Sequence, residues 1–129
     1  MDIYTIQLSQ WRIANDLDIP IIDITAKSGV EYLAPEFSLV MQYKNGMLSE
    51  LDYTNNYISK MRYSLIRYPE IWENLLNFNK FAFACYCKPD VFCHRHILKN
   101  LFEKYAISKG CIVRQCGEIR NGKSNKHTK

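Results

Sequence analysis

The sequence lacks the long apolar run that a membrane-spanning helix requires. No segment of its 129 residues approaches the roughly 20 consecutive apolar residues needed to cross a bilayer. The first residues, MDIYTIQLSQ, carry an acid where a signal peptide carries a basic region, so we expect a cytoplasmic protein with no membrane-bound part. The motifs G-x-G-x-x-G and G-x-S-x-G are also missing, as is a cysteine five residues before an arginine. These absences exclude the corresponding dinucleotide-binding domains, α/β-hydrolases and cysteine phosphatases.

The cysteines are too few and too unevenly spaced for a secreted disulfide framework. There are five, an odd number, and Cys85, Cys87 and Cys93 fall within nine residues. In a reducing compartment such clustering indicates metal ligation or chemical reactivity.

Positive charge is concentrated at the end of the sequence. The formal net charge is +4, of which residues 118–129 contribute +3 and residues 1–117 only +1. Binding of an extended duplex needs a basic face, and the charge distribution argues against one here. We expect a nearly neutral domain followed by a basic, flexible tail over residues 118–129. A further hypothesis is that this tail recruits RNA or DNA non-specifically through its charge.

Strand-like and helix-like segments alternate along residues 1–117, which we interpret as one domain. Parallel strands need helical crossovers between them, so the alternation predicts a three-layer α/β domain with a mainly parallel sheet of about four strands. The predicted strands cover residues 2–8, 19–25, 81–87 and 111–117; the predicted helices cover residues 9–17, 35–43, 49–68, 69–76 and 97–105.

The unusual residues follow the predicted strands, at residues 8–10, 23–29 and 85–95. Ligands of open parallel sheets bind beyond the carboxyl ends of the strands, so these segments should converge on one edge. If the last helix begins near Cys93, its amides and dipole favour an anion, and Arg95 can hold a phosphate through two hydrogen bonds. The same field, together with an adjacent imidazolium at His94, would stabilise a thiolate at Cys93.

These positions predict a site for a phosphorylated nucleotide or a short piece of nucleic acid, which the domain hydrolyses or from which it transfers a group. Cys93 and His94 are the candidates for nucleophilic or proton-transfer work, and Asp23 for the general base or the acceptor of a ribose hydroxyl. A helix cap or a satisfied buried carboxylate is an equal interpretation of Asp23. The predicted ligand-binding residues are Arg95, Lys27, Ser28, Cys87 and Lys88.

Three alternatives stay open. In the first, Cys85 and Cys87 pack in the core as small hydrophobic residues. In the second, the domain is a zinc-stabilised binding module whose ligands are Cys87, Cys93 and His94 or His96, although the spacing C-x5-C-H-x-H departs from common zinc motifs. In the third, the same edge binds a nucleotide signal or a protein partner without turning it over. Apart from zinc, no cofactor is predicted.

Several blocks of the sequence carry a family resemblance. A strand ending in cysteine is followed by a loop with lysine and proline, Cys85-Tyr86-Cys87-Lys88-Pro89, and then by Cys93-His94-Arg95-His96 at a helix start. This block, together with residues 3–6, 21–29, 34–35 and 41–46, resembles a phage and bacterial branch of the domain of unknown function 488 (DUF488) family. The similarity covers roughly residues 2–105 and departs at Ile6-Gln7-Leu8-Ser9, where many relatives have a glycine-containing turn. The resemblance implies a Rossmann-like α/β fold and no particular reaction.

Overall fold

In the computed structural model, which describes residues 1–121, a four-stranded sheet has the strand order β2-β3-β1-β4. Each neighbouring pair in this order is parallel, so the prediction of an α/β domain with a mainly parallel sheet is confirmed. The elements are β1 (Asp2–Gln7), α1 (Trp11–Asp16), β2 (Ile21–Asp23), α2 (Phe37–Lys44), α3 (Glu50–Arg67), α4 (Pro69–Leu75), β3 (Lys80–Cys85), α5 (His94–Ser108) and β4 (Arg114–Ile119).

The two faces of the sheet carry cores of different size. Successive side chains of a strand point to opposite faces, so Ile3 contributes to one core and Ile6 to the other. The larger core joins the sheet to α3, α4 and α5 and includes the buried Trp72, Phe81 and Phe102. The smaller core lies against α1 and is built from small or branched side chains: Ile6, Ala14, Ile19, Ala82, Ala84 and Ile119. The sheet is therefore the middle of three layers.

Local sequence signals fix where the helices begin. The Ser49 side chain accepts a hydrogen bond of 3.1 Å from the Asp52 amide at the start of α3, as the cap pattern predicts. Pro69 opens α4, where its missing amide hydrogen is not needed. The longest helix, α3, has 18 residues, and no helix of residues 1–121 has the length and apolar character to cross a bilayer.

The last helix begins where the sequence predicted, and the last strand does not. α5 begins at His94 with Cys93 as its N-cap and extends beyond the periodic residues 97–105 to Ser108. β4 is shifted towards the C-terminus and includes Glu118 and Ile119, which the sequence analysis assigned to a tail. A bulge at Gly117, with φ of +85°, lets the strand continue along β1. Residues 120 and 121 of that predicted tail follow the strand, and residues 122–129 lie outside the described residues.

Candidate functional site

A pocket of about 410 Å³ opens beyond the carboxyl ends of β2 and β3, at the edge that the sequence predicted. The loop after β2 contributes Lys27, and helix α2 contributes Phe37 and Lys44. The loop between β3 and α5 supplies the opposite side. Tyr53 of α3 completes the lining, so the pocket lies where four separate segments of the chain meet.

Aromatic rings form one wall of the pocket. The ring centroids of Tyr43 and Phe92 are 5.1 Å apart, and those of Tyr53 and Phe92 are 5.2 Å apart. These spacings are typical of attractive ring contacts, so the wall is held in place by its own packing. The Tyr43 hydroxyl donates to Glu50, whereas the Tyr53 hydroxyl has no hydrogen-bond partner within residues 1–121. The wall thus offers flat apolar area and one hydroxyl that a ligand can use.

Three thiols lie together at the floor of the pocket. We call Cys85, Cys87 and Cys93 the sulfur cluster; all three line the pocket. Cys85 and Cys93 are buried, whereas Cys87 is half-buried. Hydrogen bonds from the Cys85 and Cys93 thiols lower the pKa of Cys87, and attraction to Lys44 acts in the same direction. Cys87 is therefore the sulfur that ionises first.

Cys93 is unsuited to the role that the sequence analysis gave it. It caps α5, so the predicted helix start is confirmed, but its side chain is only 3% exposed. Its hydrogen bonds to Cys85 and Cys87, together with burial, raise the pKa of Cys93. The helix dipole favours a thiolate at Cys93, but burial and the hydrogen bonds to the neighbouring sulfurs stabilise the protonated thiol and outweigh it. The thiol whose pKa is lowered is that of Cys87, six residues earlier.

His94 is neutral in this environment. Its Nε2 lies 2.6 Å from the carbonyl oxygen of Ile24, which can only accept, so Nε2 carries the hydrogen. Its Nδ1 then presents a lone pair at 3.6 Å from the Cys93 sulfur. Burial lowers the pKa of His94 to about 4. The predicted imidazolium beside the thiol is therefore wrong at neutral pH.

Every hydrogen-bond donor of Arg95 has a partner within the protein, so none is left to bind a phosphate. It is fully buried. Its Nε and Nη2 donate to the two carboxylate oxygens of Glu118 at 3.2 and 3.0 Å. Nη1 donates to the Cys85 sulfur at 2.9 Å and to the Cys87 carbonyl at 3.0 Å, and Nη2 donates to the Lys88 carbonyl at 3.2 Å. All five N–H groups are thus used, which differs from the prediction that Arg95 binds the ligand.

Glu118 is the residue of this site that the sequence analysis missed. Its side chain is 7% exposed, and it accepts a hydrogen bond of 2.6 Å from the Thr5 hydroxyl in addition to those from Arg95. The sequence around it is polar and basic, so a local pattern could not separate it from a solvated tail. The only available signal was Ile119, an apolar residue that continues the alternation of the strand.

Asp23 organises its loop and does not line the pocket. One carboxylate oxygen accepts from the Thr25 amide at 2.9 Å, and the other from the Ser28 hydroxyl at 3.2 Å. Both carboxylate oxygens of Asp23 therefore have hydrogen-bond partners, in agreement with the interpretation of Asp23 as a satisfied carboxylate. Ser28 belongs to the same hydrogen-bond network. Lys27 is the residue of this loop that reaches the pocket, with its Nζ 4.7 Å from the centre of the Phe37 ring. Lys88 is exposed, and its carbonyl is held by Arg95.

The donors of the floor could hold a metal ion. One ligand atom each from Cys85, Cys93 and His94 lie within 4.8 Å of one another. His94 is thus the histidine of this group, whereas His96, the alternative that the sequence offered, lines a separate groove between α3 and α5. Cys87, which the sequence predicted as a ligand, is not part of the group, and Cys85 takes its place. The sequence could not show this because the spacing of Cys85 from His94 matches no common metal motif.

Fold and site together define an α/β domain with a cysteine-rich pocket at the carboxyl ends of its parallel strands. The chain belongs to the DUF488 family: residues 22–106, more than half of the sequence, match the family model DUF488-N3a, described as the active DUF488-N3 subclade. The matched segment includes the sulfur cluster and Arg95 but not Glu118. No curated protein and no solved structure matches the chain.

Proposed function

We propose that the pocket binds a phosphorylated nucleotide, free or within a short nucleic acid, and that Cys87 attacks it in a hydrolysis or group transfer. The observation that carries this proposal is the position of Cys87, a half-buried thiol of lowered pKa on the floor of an aromatic-walled pocket with two lysines. An activated cysteine in a concave site is the usual arrangement for nucleophilic catalysis. The matched subclade is also described as active.

The lining of the pocket suits a ligand with one flat and one anionic part. Tyr43, Tyr53 and Phe92 offer faces and edges to an aromatic base. Lys27 and Lys44 are exposed and line the same pocket, where their ammonium groups can neutralise a phosphate. Apolar walls with a few charged groups are typical of sites that bind small molecules.

The reaction is a double displacement. The Cys87 thiolate gives an electron pair to the electrophilic atom of the ligand, and the bond from that atom to the leaving group breaks. The leaving group takes this electron pair and a proton from water. Water, or a second acceptor, then displaces the sulfur, regenerates the thiolate and returns one proton to the solvent. Because the thiols must stay reduced, the cytoplasmic location remains part of the proposal.

Alkylation by iodoacetamide tests the proposal without a known substrate. At pH 6.5 we expect Cys87 to react faster than Cys111, a half-buried thiol that does not line this pocket and serves as an internal control. Nucleoside monophosphates should slow the alkylation of Cys87 and leave that of Cys111 unchanged, as measured by peptide mass spectrometry. Equal rates at the two thiols, or no protection by any nucleotide, would contradict the proposal.

Catalysis and simple binding are separated by the Cys87→Ser variant. If Cys87 is the nucleophile, this variant should still bind nucleotide but form no product. If wild-type protein forms no product from any nucleotide that it binds, the pocket is that of a non-enzymatic binder.

A zinc-stabilised module is the second candidate, and the geometry of His94 favours it. A histidine that ligates a metal through one nitrogen commonly donates its other N–H to a backbone carbonyl, as His94 does to Ile24. Cys85, Cys93 and Nδ1 of His94 are the donors present, and thiolate and imidazole ligands suit zinc. Elemental analysis of protein purified without chelator distinguishes the candidates. About one zinc per chain, together with loss of folding in Cys93→Ser, supports the module; absence of zinc in folded protein excludes it.

A further inference from the structure

The mouth of the pocket carries two partly exposed aromatic rings. Tyr86 is 63% exposed and Phe37 is 44% exposed, and both line the pocket. Lys27 lies over one face of the Phe37 ring, which places a positive charge beside the stacking surface. The two rings belong to different elements, the loop after β3 and the start of α2. Exposed rings beside a concave site are stacking platforms for bases, because every base has an aromatic face.

Three lysines at the same edge have no acidic partner. Lys27 and Lys44 line the pocket, and Lys88 follows Tyr86 by two residues in the loop. Within residues 1–121 no carboxylate lies within 4.0 Å of any of these three ammonium groups. The ion pairs in that part of the chain involve other cations: Lys60, Arg95, Arg114 and Arg120. Although residues 1–117 are nearly neutral in sum, this edge is positive.

We infer that the nucleotide taken by the pocket is one unit of a single-stranded nucleic acid. This inference rests on the proposed function and names its substrate class. One base enters the pocket, the neighbouring bases stack on Tyr86 and Phe37, and the phosphates between them meet the lysines. A single strand fits because a base must be unpaired to enter a concave site. Duplex binding would need a longer row of cations than this edge offers.

Fluorescence anisotropy with a labelled eight-nucleotide oligothymidylate tests the inference on the full chain. We expect it to bind more tightly than thymidine monophosphate, and more tightly than the same label in a duplex. If three lysines meet phosphates, the slope of log K against log salt is about −2, from about 0.7 per contact. Lys44→Gln should make this slope shallower by about 0.7.

Substitution of the exposed rings gives the sharper comparison. Tyr86→Ala should weaken binding of the oligonucleotide about ten-fold, because it removes one stacking platform. Tyr63→Ala is the matched control, since Tyr63 is 60% exposed on α3 and lines no part of the pocket. The control should bind like the wild type. An unchanged affinity in Tyr86→Ala, or equal binding of duplex and single strand, would overturn the inference.

The failure of this inference can be told from the failure of the proposed function. If thymidine monophosphate protects Cys87 from iodoacetamide while the oligonucleotide protects it no better, the pocket takes free nucleotides and only the inference is wrong. If neither ligand protects Cys87, both are wrong.

Discussion

Replacing Glu118 by glutamine should destabilise the protein strongly, because it leaves the buried Arg95 without a counter-ion. The side chains of Arg95 and Glu118 are 0% and 7% exposed, and two hydrogen bonds join them. In Glu118→Gln one carboxylate oxygen becomes an amide that donates, so it faces an N–H group of Arg95 that also donates. The guanidinium charge then lies in the core with no negative partner.

The size of the effect follows from the burial of the pair. Removing one partner of a buried ion pair costs about 3–5 kcal/mol. Because glutamine retains one accepting oxygen, we expect a loss near 3 kcal/mol, out of a total stability of roughly 5–15 kcal/mol. For 129 residues the entropy of unfolding is about 0.27 kcal/mol/K, so Tm should fall by about 11 °C.

Urea denaturation followed by tryptophan fluorescence measures this loss, since Trp72 is buried. Asp2→Asn is the control, because it breaks the pair between Asp2 and Arg114, whose side chain is 63% exposed. The charges of an exposed ion pair are solvated in the folded and in the unfolded protein, so Asp2→Asn should shift the urea midpoint far less than Glu118→Gln does. If Glu118→Gln were as stable as this control, our account of the arginine would be wrong.

The remaining predictions concern pH, backbone packing and thiol reactivity. The pKa of His94 is about 4 in the fold and about 6.5 in the unfolded chain, so stability is full above pH 6.5 and falls by up to about 3 kcal/mol towards pH 4. His94→Gln should flatten this part of a plot of unfolding free energy against pH. A Cβ at Gly29 would lie 2.4–2.7 Å from three backbone atoms, so Gly29→Ala should cost at least about 2 kcal/mol in urea denaturation. Gly46→Ala, which meets open space and only the strain of a positive φ, should cost about 1 kcal/mol. Lys44→Gln should raise the pKa of Cys87 and shift its rate of alkylation towards higher pH, because attraction to the ammonium is lost.

The features predicted well from the sequence are those set by neighbours along the chain. The Ser49 cap, Pro69 at a helix start and the convergence of loops at the carboxyl ends of strands depend on local periodicity and on the rules for parallel sheets. The helix start at Cys93 was predicted for the same reason.

The predictions that differ from the structure are those that depend on how deeply a side chain is buried. An arginine beside a helix start forms a phosphate site when it is exposed, but Arg95 is buried and meets Glu118, 23 residues away. The choice between Cys87 and Cys93 likewise depends on which thiol the other two surround. Neither burial nor a partner on a distant strand can be seen in a local sequence pattern.

Arg95 links the pocket to a strand outside the part of the chain that matches the family model. Its guanidinium binds the Cys85 sulfur and the Cys87 carbonyl on one side and Glu118 of β4 on the other. The position of Cys87 therefore depends on the pairing of β4 with β1, although no residue of β4 lines the pocket. A substitution at Glu118 that the fold survives should change the reactivity of Cys87 as well as the stability. The arginine thus acts on the chemistry of the site through the backbone that it holds, and not through contact with a ligand.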